Sequence, residues 1–540
     1  MRLLDRLPTN RTRAATRPWA RPLRAALAGL LCLGQLALSG PAQAQGAGAA
    51  QAGLRRVDGM VMLDYSRLTL STGGAFDLLS VHYLQQATDW LYYGVGAFAP
   101  MTQGNYGGFF GADATIHAQR RVAGNFFVNA GVSVGAGAGG ASVVGIQTLS
   151  GDGLYLRAYA GVGYETRTFS FGVNYARVAI TGSPVNDAAV NIFVQRRLGF
   201  SVGNYDAAGT RLPASSFDAP RHENILSFQF NNFAQIRPTG RYTGDIGVLS
   251  TQFTHFMNRN FYTFFGVDIG VSGLLWYNQA HGGIGWRTAL SPHLNLYSQI
   301  GIGSSGWVTN TVDTGPGFVI YPKLMLEYLW DNGVGATLQA GYLYAPLGTS
   351  RNWTVGLGLN YHLSYAEGRS ASGPQAGDDY QLRGIRLNVF GRRTSDITYN
   401  GRVSDPLNLI AVQVDYALSD HWFVSAQIAA AANAFRNYAG YAEGYFGIGW
   451  QTRVSRNGRF QGYAQLMYGL NDVGVDPAHE VGALLYPAIG VNFHLNDRLS
   501  LYGQLGTTIS LGQYSGMTNT FENYSIGLGV TYRFSLPTRS

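Results

Sequence analysis

One block of strands is written three times in this chain, at a spacing of about 165 residues. Tyr155, Tyr321 and Tyr486 open the equivalent segment of each copy: LYLRAYAGVGYETRTFSFGVN, IYPKLMLEYLWDNGVGATLQA and LYPAIGVNFHLNDRLSLYGQL. Gly285-Trp286-Arg287-Thr288 returns as Gly449-Trp450-Gln451-Thr452. VGLGLNYHL (355–363) returns as IGLGVTYRF (526–534), with a weaker first-copy counterpart over Val190–Leu198. A repeat of this length is the size of a domain, well beyond the units of solenoids and propellers. The chain therefore folds as three copies of one unit, and the nature of that unit decides the rest.

Residues 1–44 read as a secretory signal. Seven arginines precede the apolar stretch Ala25–Leu38, and Ala42-Gln43-Ala44 has the form of a cleavage site. That leader holds seven Arg and one Asp, so removing it takes the formal charge from +8 to +2 and ends the electrostatic case for a nucleic-acid partner. The one cysteine, Cys32, lies inside it, so the mature chain is expected to have no disulfide, thiolate metal site or covalent haem attachment, and no cofactor is expected.

After the leader, no segment has the eighteen or more uncharged apolar residues that a spanning helix needs. Charged residues make up only 13% of the chain, about half the usual share, while aromatics reach 13% and glycine numbers 73. Those proportions suit a sheet with lipid on one face. In the third copy, Ile410, Val412, Val414, Tyr416 and Leu418 alternate with Ala411, Gln413, Asp415 and Ala417, and Trp422, Val424, Ala426 and Ile428 alternate with Ser425 and Gln427. Eight strands of about ten residues are expected there, the span of a tilted transmembrane strand. They lie near 381–391, 408–418, 422–432, 443–454, 459–469, 483–495, 498–510 and 523–534. Every second connection is a short polar turn, such as Met257-Asn258-Arg259-Asn260 or Leu418-Ser419-Asp420-His421. The others, such as 303–317 and 470–482, are longer and rich in Gly, Asn and Thr. Tight turns at one end and longer loops at the other are the periplasmic and extracellular ends of an outer-membrane barrel.

Gly529-Val530-Thr531-Tyr532-Arg533-Phe534 resembles the closing-strand signal of Gram-negative outer-membrane barrels, and Gly358-Leu359-Asn360-Tyr361-His362-Leu363 repeats its form. The unit is similar to small eight-stranded barrels of the OmpA/OmpX type. That resemblance implies an outer-membrane location, lipid and the barrel assembly machinery as partners, and Gly529, Tyr532 and Phe534 as the assembly signal. It names no individual family. The fold expected is all-β: an integral, antiparallel outer-membrane barrel of about 24 strands in one ring, with three tandem eight-stranded barrels as the alternative. The expected division is a signal peptide (1–44), a short segment (45–56), repeat one (57–203), a linker (204–223), repeat two (224–365), a linker (366–380) and repeat three (381–540). The two linkers are long and polar, which favours separate barrels. Large single-chain barrels being the more familiar architecture favours one ring.

Candidate lumen-lining residues are the inward, mostly uncharged Gln252, Gln299, Gln339, Gln413, Gln427, Gln465 and Gln504, with Asp268 and Asp415. Glu327, Glu443, Arg287 and Arg453 complete the few charges assigned to strand segments; on the lipid face each would cost about 2–4 kcal/mol at the midplane, so they too are expected inside or at the rims. Such a lumen suits a passive or export conduit for neutral or large solutes, whose cargo the sequence does not name. The alternative is a structural protein of filled small barrels. Gly135-x-Gly137-x-x-Gly140 and Gly301-x-Gly303-x-x-Gly306 match a dinucleotide fingerprint, but loops follow them where a helix is needed, so they read as strand ends. Ser80 and His82 share a strand face, yet nothing in the sequence brings a carboxylate to complete a hydrolase triad, and a lipid-modifying enzyme is the least favoured reading. His255, His362, His421 and His494 lie near strand ends and read as interfacial polar residues.

Overall fold

The computed structural model describes residues 53–138, 149, 153–213, 223–306, 311–331, 333–364, 379–399, 402–433, 441–455, 457–475, 478–513 and 521–539. The expected signal peptide and residues 45–52 lie outside the described residues, as does most of the 366–380 linker.

The first repeat contributes β1 (Arg55–Thr69), β2 (Ala75–Gln86), β3 (Leu91–Ala99), β4 (Phe110–Ala123), β5 (Phe126–Ala138), β6 (Leu154–Glu165), β7 (Ser170–Ile180) and β8 (Asn186–Val202). After the short β9 (Arg211–Pro213), the second repeat supplies β10 (Asn224–Gln235), β11 (Ile246–Phe256), β12 (Phe261–Ser272), β13 (Asn278–Ala289), β14 (Leu294–Gly306), β15 (Phe318–Leu329), β16 (Val334–Tyr344) and β17 (Arg351–Ser364). The third opens with β18 (Asp379–Thr394). A small hairpin follows, β19 (Ile397–Tyr399) and β20 (Arg402–Ser404). The repeat ends with β21 (Asn408–Ala417), β22 (Trp422–Ala431), β23 (Ala442–Gln451), β24 (Phe460–Val475), β25 (Ala478–His494), β26 (Leu499–Gln513) and β27 (Phe521–Arg539).

The 24 barrel strands are antiparallel, as expected, but they do not share one ring. β8 returns to β1, from Arg55 opposite Val202 to Ser66 opposite Asn191. β17 returns to β10, and β27 returns to β18 from Tyr380 opposite Arg539 to Thr394 opposite Ser525. Three eight-stranded barrels result, and the expectation of a single 24-stranded ring is corrected. In lipid an unpaired strand edge leaves orphan N–H and C=O groups at several kcal/mol each, so the edges of each repeat satisfy one another. The long connectors that separate the repeats remove any need for β8 to pair with β10.

Period two is visible in the burial. In β21, Ala411, Gln413 and Asp415 are buried while Val412 and Val414 face outward; β15 buries Val319, Tyr321, Lys323, Met325 and Glu327 and exposes Leu324, Leu326 and Tyr328. The tight turns share one construction. The backbone N–H of Ala87, Met257 and Leu418 donates to the carbonyl of Leu91, Phe261 and Trp422 respectively. A Thr88, Asn258 or Ser419 side-chain oxygen accepts from the N–H groups at the far side of its turn, as Asn496 does in the last turn. Short polar side chains satisfy those donors locally, which is why such residues mark these junctions.

The repeated Gly-Trp-(Arg/Gln)-Thr segment now has a physical reading. A Cβ on Gly285 would lie 2.2 Å from the Tyr262 ring, and one on Gly449 2.1 Å from the Phe423 ring, so only glycine lets those inward rings lie flat on the wall. Trp286 and Trp450 point outward near the turns, and Arg287 and Gln451 point into the barrel. Two segments depart from expectation. Residues 470–482, read as a loop, are largely paired strand, because β24 and β25 continue as a ladder out to Val475 opposite Ala478. Residues 204–213, read as linker, fold against the third barrel: β9 pairs with the start of β18, and Leu212 packs with Leu54 and Leu382.

Candidate functional site: the three barrel interiors

An eight-stranded barrel has room inside for side chains and little else. The three anchor tyrosines show how that room is used. Tyr155, Tyr321 and Tyr486 all sit inward on the sixth strand of their barrels and are fully buried. Tyr155 stacks on Phe98 with centroids 4.0 Å apart, the Tyr321 hydroxyl donates to Thr354 Oγ1 at 3.0 Å, and the Tyr486 hydroxyl accepts from Gln504 Nε2 at 2.7 Å.

Around these rings, polar side chains from opposite walls bond to one another across the bore. In the second barrel Gln252 on the second strand and Gln299 on the fifth exchange two amide bonds of 3.3 and 3.0 Å. Gln339 donates to Gln229 and Asn231, and Lys323 donates to Gln229 at 3.2 Å. Asp268 accepts from Gln279 at 2.7 Å. The third barrel repeats the arrangement, with Gln413 donating to Gln465 at 3.0 Å and Gln465 to Gln504 at 3.5 Å. Asp415 there accepts from Arg386, Asn388, Gln413 and Ser425. Gln427 is buried, and its amide has no hydrogen-bond partner among the described residues. All nine candidate lumen residues are thus buried inside barrels, two to four of them joined to one another in each of the last two barrels.

Most of the buried charges fall into three sets, one in each barrel, with Lys323, Asp268 and Asp77 among those outside them. In the first barrel Arg157 bonds Asp64 at 2.8 Å, and His82 lies between Asp64 (3.4 Å) and Asp113 (3.2 Å). In the second, Arg287 bonds Glu223 at 2.6 Å, and His362 bridges Glu223 (3.0 Å) and Glu327 (2.8 Å). Glu327 also accepts from Tyr297 at 2.6 Å, Asn295 at 2.9 Å and Asn360 at 2.7 Å. In the third, Arg386 pairs with Asp415 at 3.1 Å and Arg392 with Glu443, which Tyr441 and Tyr445 also bond. Buried charges at this density persist only when paired and hydrogen-bonded.

Several sequence readings shift accordingly. His362, expected at the interface, is an interior bridge, and His494 is buried against Ser500 at 2.7 Å. His421 stays at the turn, stacked on Trp450, and His255 faces outward with Nδ1 2.8 Å from Asn224. Arg453 lies in the turn after β23 and is exposed. His82 does have carboxylates beside it, two of them, which the sequence did not bring together; Ser80 is buried on the same strand. Gly135, Gly137, Gly301, Gly303 and Gly306 end β5 and β14, and Gly140 lies outside the described residues. Of the assembly-signal residues, Gly529 pairs with Phe390 in the closing ladder, and Tyr532 and Phe534 face outward as a ring pair 5.5 Å apart.

The outer faces are the reverse of the inner ones. Val190, Ile192, Phe228, Phe230, Leu357, Leu359, Ile489 and Leu528 all project from the walls into the surroundings, a continuous apolar exterior around polar cores. Trp286, Trp330, Trp422 and Trp450 cluster beside the tight turns, as an interfacial girdle does. No helix among the described residues is long and apolar enough to cross a membrane, and the strands do the crossing. This is an integral outer-membrane β-barrel protein. No protein-family model matches the chain, and no curated relative does. Among solved structures it is similar to the N-terminal β-barrel domain of Pseudomonas aeruginosa OprF, at 10% identity over 28% of this chain and 96% of that one, with a TM-score of 0.22. Neisserial surface protein A gives 12% identity, 28% and 96% coverage and a TM-score of 0.22. OpdQ from Pseudomonas aeruginosa gives 10%, 90% and 98%, and a TM-score of 0.20. The architecture rests on the chain's own strand pairing.

Proposed function

We propose that this outer-membrane protein is a structural and interaction component, three filled barrels that hold loops at the cell surface, rather than a solute conduit. The observation that carries this reading is the bonding across each bore. Gln252 meets Gln299, Gln413 meets Gln465, and Arg157 on the sixth strand meets Asp64 on the first. Direct bonds between facing walls occupy the path that a water file or a solute would need. The conduit expected from the sequence drew its width from 24 strands in one ring, and eight-stranded rings do not supply that width. Polar residues at inward positions serve both readings equally in sequence; their mutual bonding favours the filled one. Planar-bilayer recording of the purified protein tests it. Silence is expected, and long-lived conductance steps that scale with the protein inserted would restore the conduit.

A further inference from the structure

The faces by which the three barrels meet are also repeated. Ladder register gives the equivalences without reference to sequence similarity. At the foot of the second strand, Gln85 lies opposite Gly59, His255 opposite Asn224 and Tyr416 opposite Ile385. Two residues further along the first strand, Val61 lies opposite Arg196, Leu226 opposite Tyr361 and Leu387 opposite Tyr532. Arg196, Tyr361 and Tyr532 are therefore one position of the closing strand in three copies, and each points out of its own barrel.

Each of the three touches the next barrel at the same place. Arg196 donates to Met257 Sδ, two residues past His255 at the foot of the second strand in barrel two. Tyr361 lies close enough to Tyr416, at the foot of the second strand in barrel three, for the two side chains to interact electrostatically. Tyr532 accepts from Gln85 Nε2 at 3.3 Å, at the foot of the second strand in barrel one, and from Arg55 at 3.2 Å. Beside this contact Gly203 and Ser535 exchange backbone bonds of 2.9 and 3.0 Å. The contacts run one to two, two to three and three to one.

The extracellular ends make a second set in the same sense. The connection after β3 meets barrel two where Gly107 N–H donates to Gly315 at 3.1 Å. The connection after β12 puts Trp276 against Gly444 of barrel three, where a Cβ would lie 3.7 Å from its ring. The end of β22 brings the Ala431 carbonyl to Gly153 of barrel one, where a Cβ would lie 2.8 Å away. Strands tilted by about 35–45° carry the top of the third strand over towards the foot of the eighth, so one face of each barrel supplies both sets.

We propose that the chain is a covalently linked pseudo-trimer, closed head to tail about a three-fold axis, in which position 196/361/532 is a docking position that recognises the second-strand foot of a like barrel. A heterologous face generates a ring when its rotation closes, and here the third barrel returns to the first with no face left over. The partner of this surface is another barrel of the same chain, and the full-length protein is a monomer. Tyr532 thus acts in docking as well as lying in the closing strand. The inference stands apart from whether the bores conduct.

Cross-linking in the full chain tests it. In a Cys32→Ser background the chain has no other cysteine. Protease sites placed in 214–222 and 365–378 cut it into its three barrels after folding. Pairs Arg196→Cys with Met257→Cys, Tyr361→Cys with Tyr416→Cys, and Gln85→Cys with Tyr532→Cys should each join a different two of the three fragments on oxidation. The lipid-facing pair Ile192→Cys with Phe253→Cys should join none. Without oxidation the cut fragments should co-purify in detergent at the mass of one chain. If Tyr532→Cys lowers the folded yield, Gly203→Cys with Ser535→Cys reports the same junction. Fragments that separate on cutting, or a link between barrels three and one that fails with both pairs, would overturn the ring.

Discussion

At the scale of residues, the interior is a set of mutually dependent polar groups, and its failure mode follows. Glu327 accepts from His362, Tyr297, Asn295 and Asn360 at once. Glu327→Ala takes one partner each from a buried imidazole, a hydroxyl and two amides, and leaves Glu223 to hold Arg287 and His362. Removing one partner of a buried pair costs about 3–5 kcal/mol, so denaturant unfolding in micelles should show a loss of that size, against under 1 kcal/mol for the exposed Arg453→Ala. Period two made the inward glutamines legible in the sequence, because most are bracketed by apolar residues of the opposite face, as Gln413 is by Val412 and Val414 and Gln339 by Leu338 and Ala340. His362 was not legible. It sits near a strand end, and its partner Glu223 is 139 positions away in what reads as linker. Only closure of β17 onto β10 brings them together. Asp64 and Asp113 escaped notice as partners of His82 for the same reason, since three separate strands supply the three side chains.

At the scale of elements, strands and tight turns were well marked. The eight strands expected in the third repeat each fall on an observed one, since alternation fixes strand position wherever one face meets lipid and the other a polar core. The turn construction gives its own test. Asn258 Oδ1 accepts from the N–H groups of Asn260 and Phe261. Asn258→Ala should lower stability by about 1 kcal/mol, with Asn258→Ser recovering part of it, as read from the midpoint of heat-induced mobility change on a gel. What alternation does not mark is where pairing stops. Gly, Asn and Asp in 470–482 signal a loop, yet ladder bonds continue through them beyond the level where the opposite faces need to differ. Similarly, 204–213 has linker composition but is captured by the exposed edge of β18, which offers unpaired backbone groups outside the lipid.

At the scale of the whole molecule, the repeat predicts 24 strands under one ring or three, and hydrophobic pattern is identical in both. The deciding contacts are β1 with β8, β10 with β17 and β18 with β27, pairings between segments far apart in sequence that leave no local signature. The two long connectors were the one legible hint, and they pointed to the architecture observed. Separate closure has a consequence that a single ring does not share. Residues 379–539 contain a complete circuit of strands, from β18 through β27 and back. Expressed behind a signal peptide, that fragment should insert in the outer membrane and give a protease-resistant, heat-modifiable band at its own mass. A fragment that stays protease-sensitive, or folds only when the other two repeats are supplied, would mean that its edges need foreign strands and would contradict three independently closed barrels.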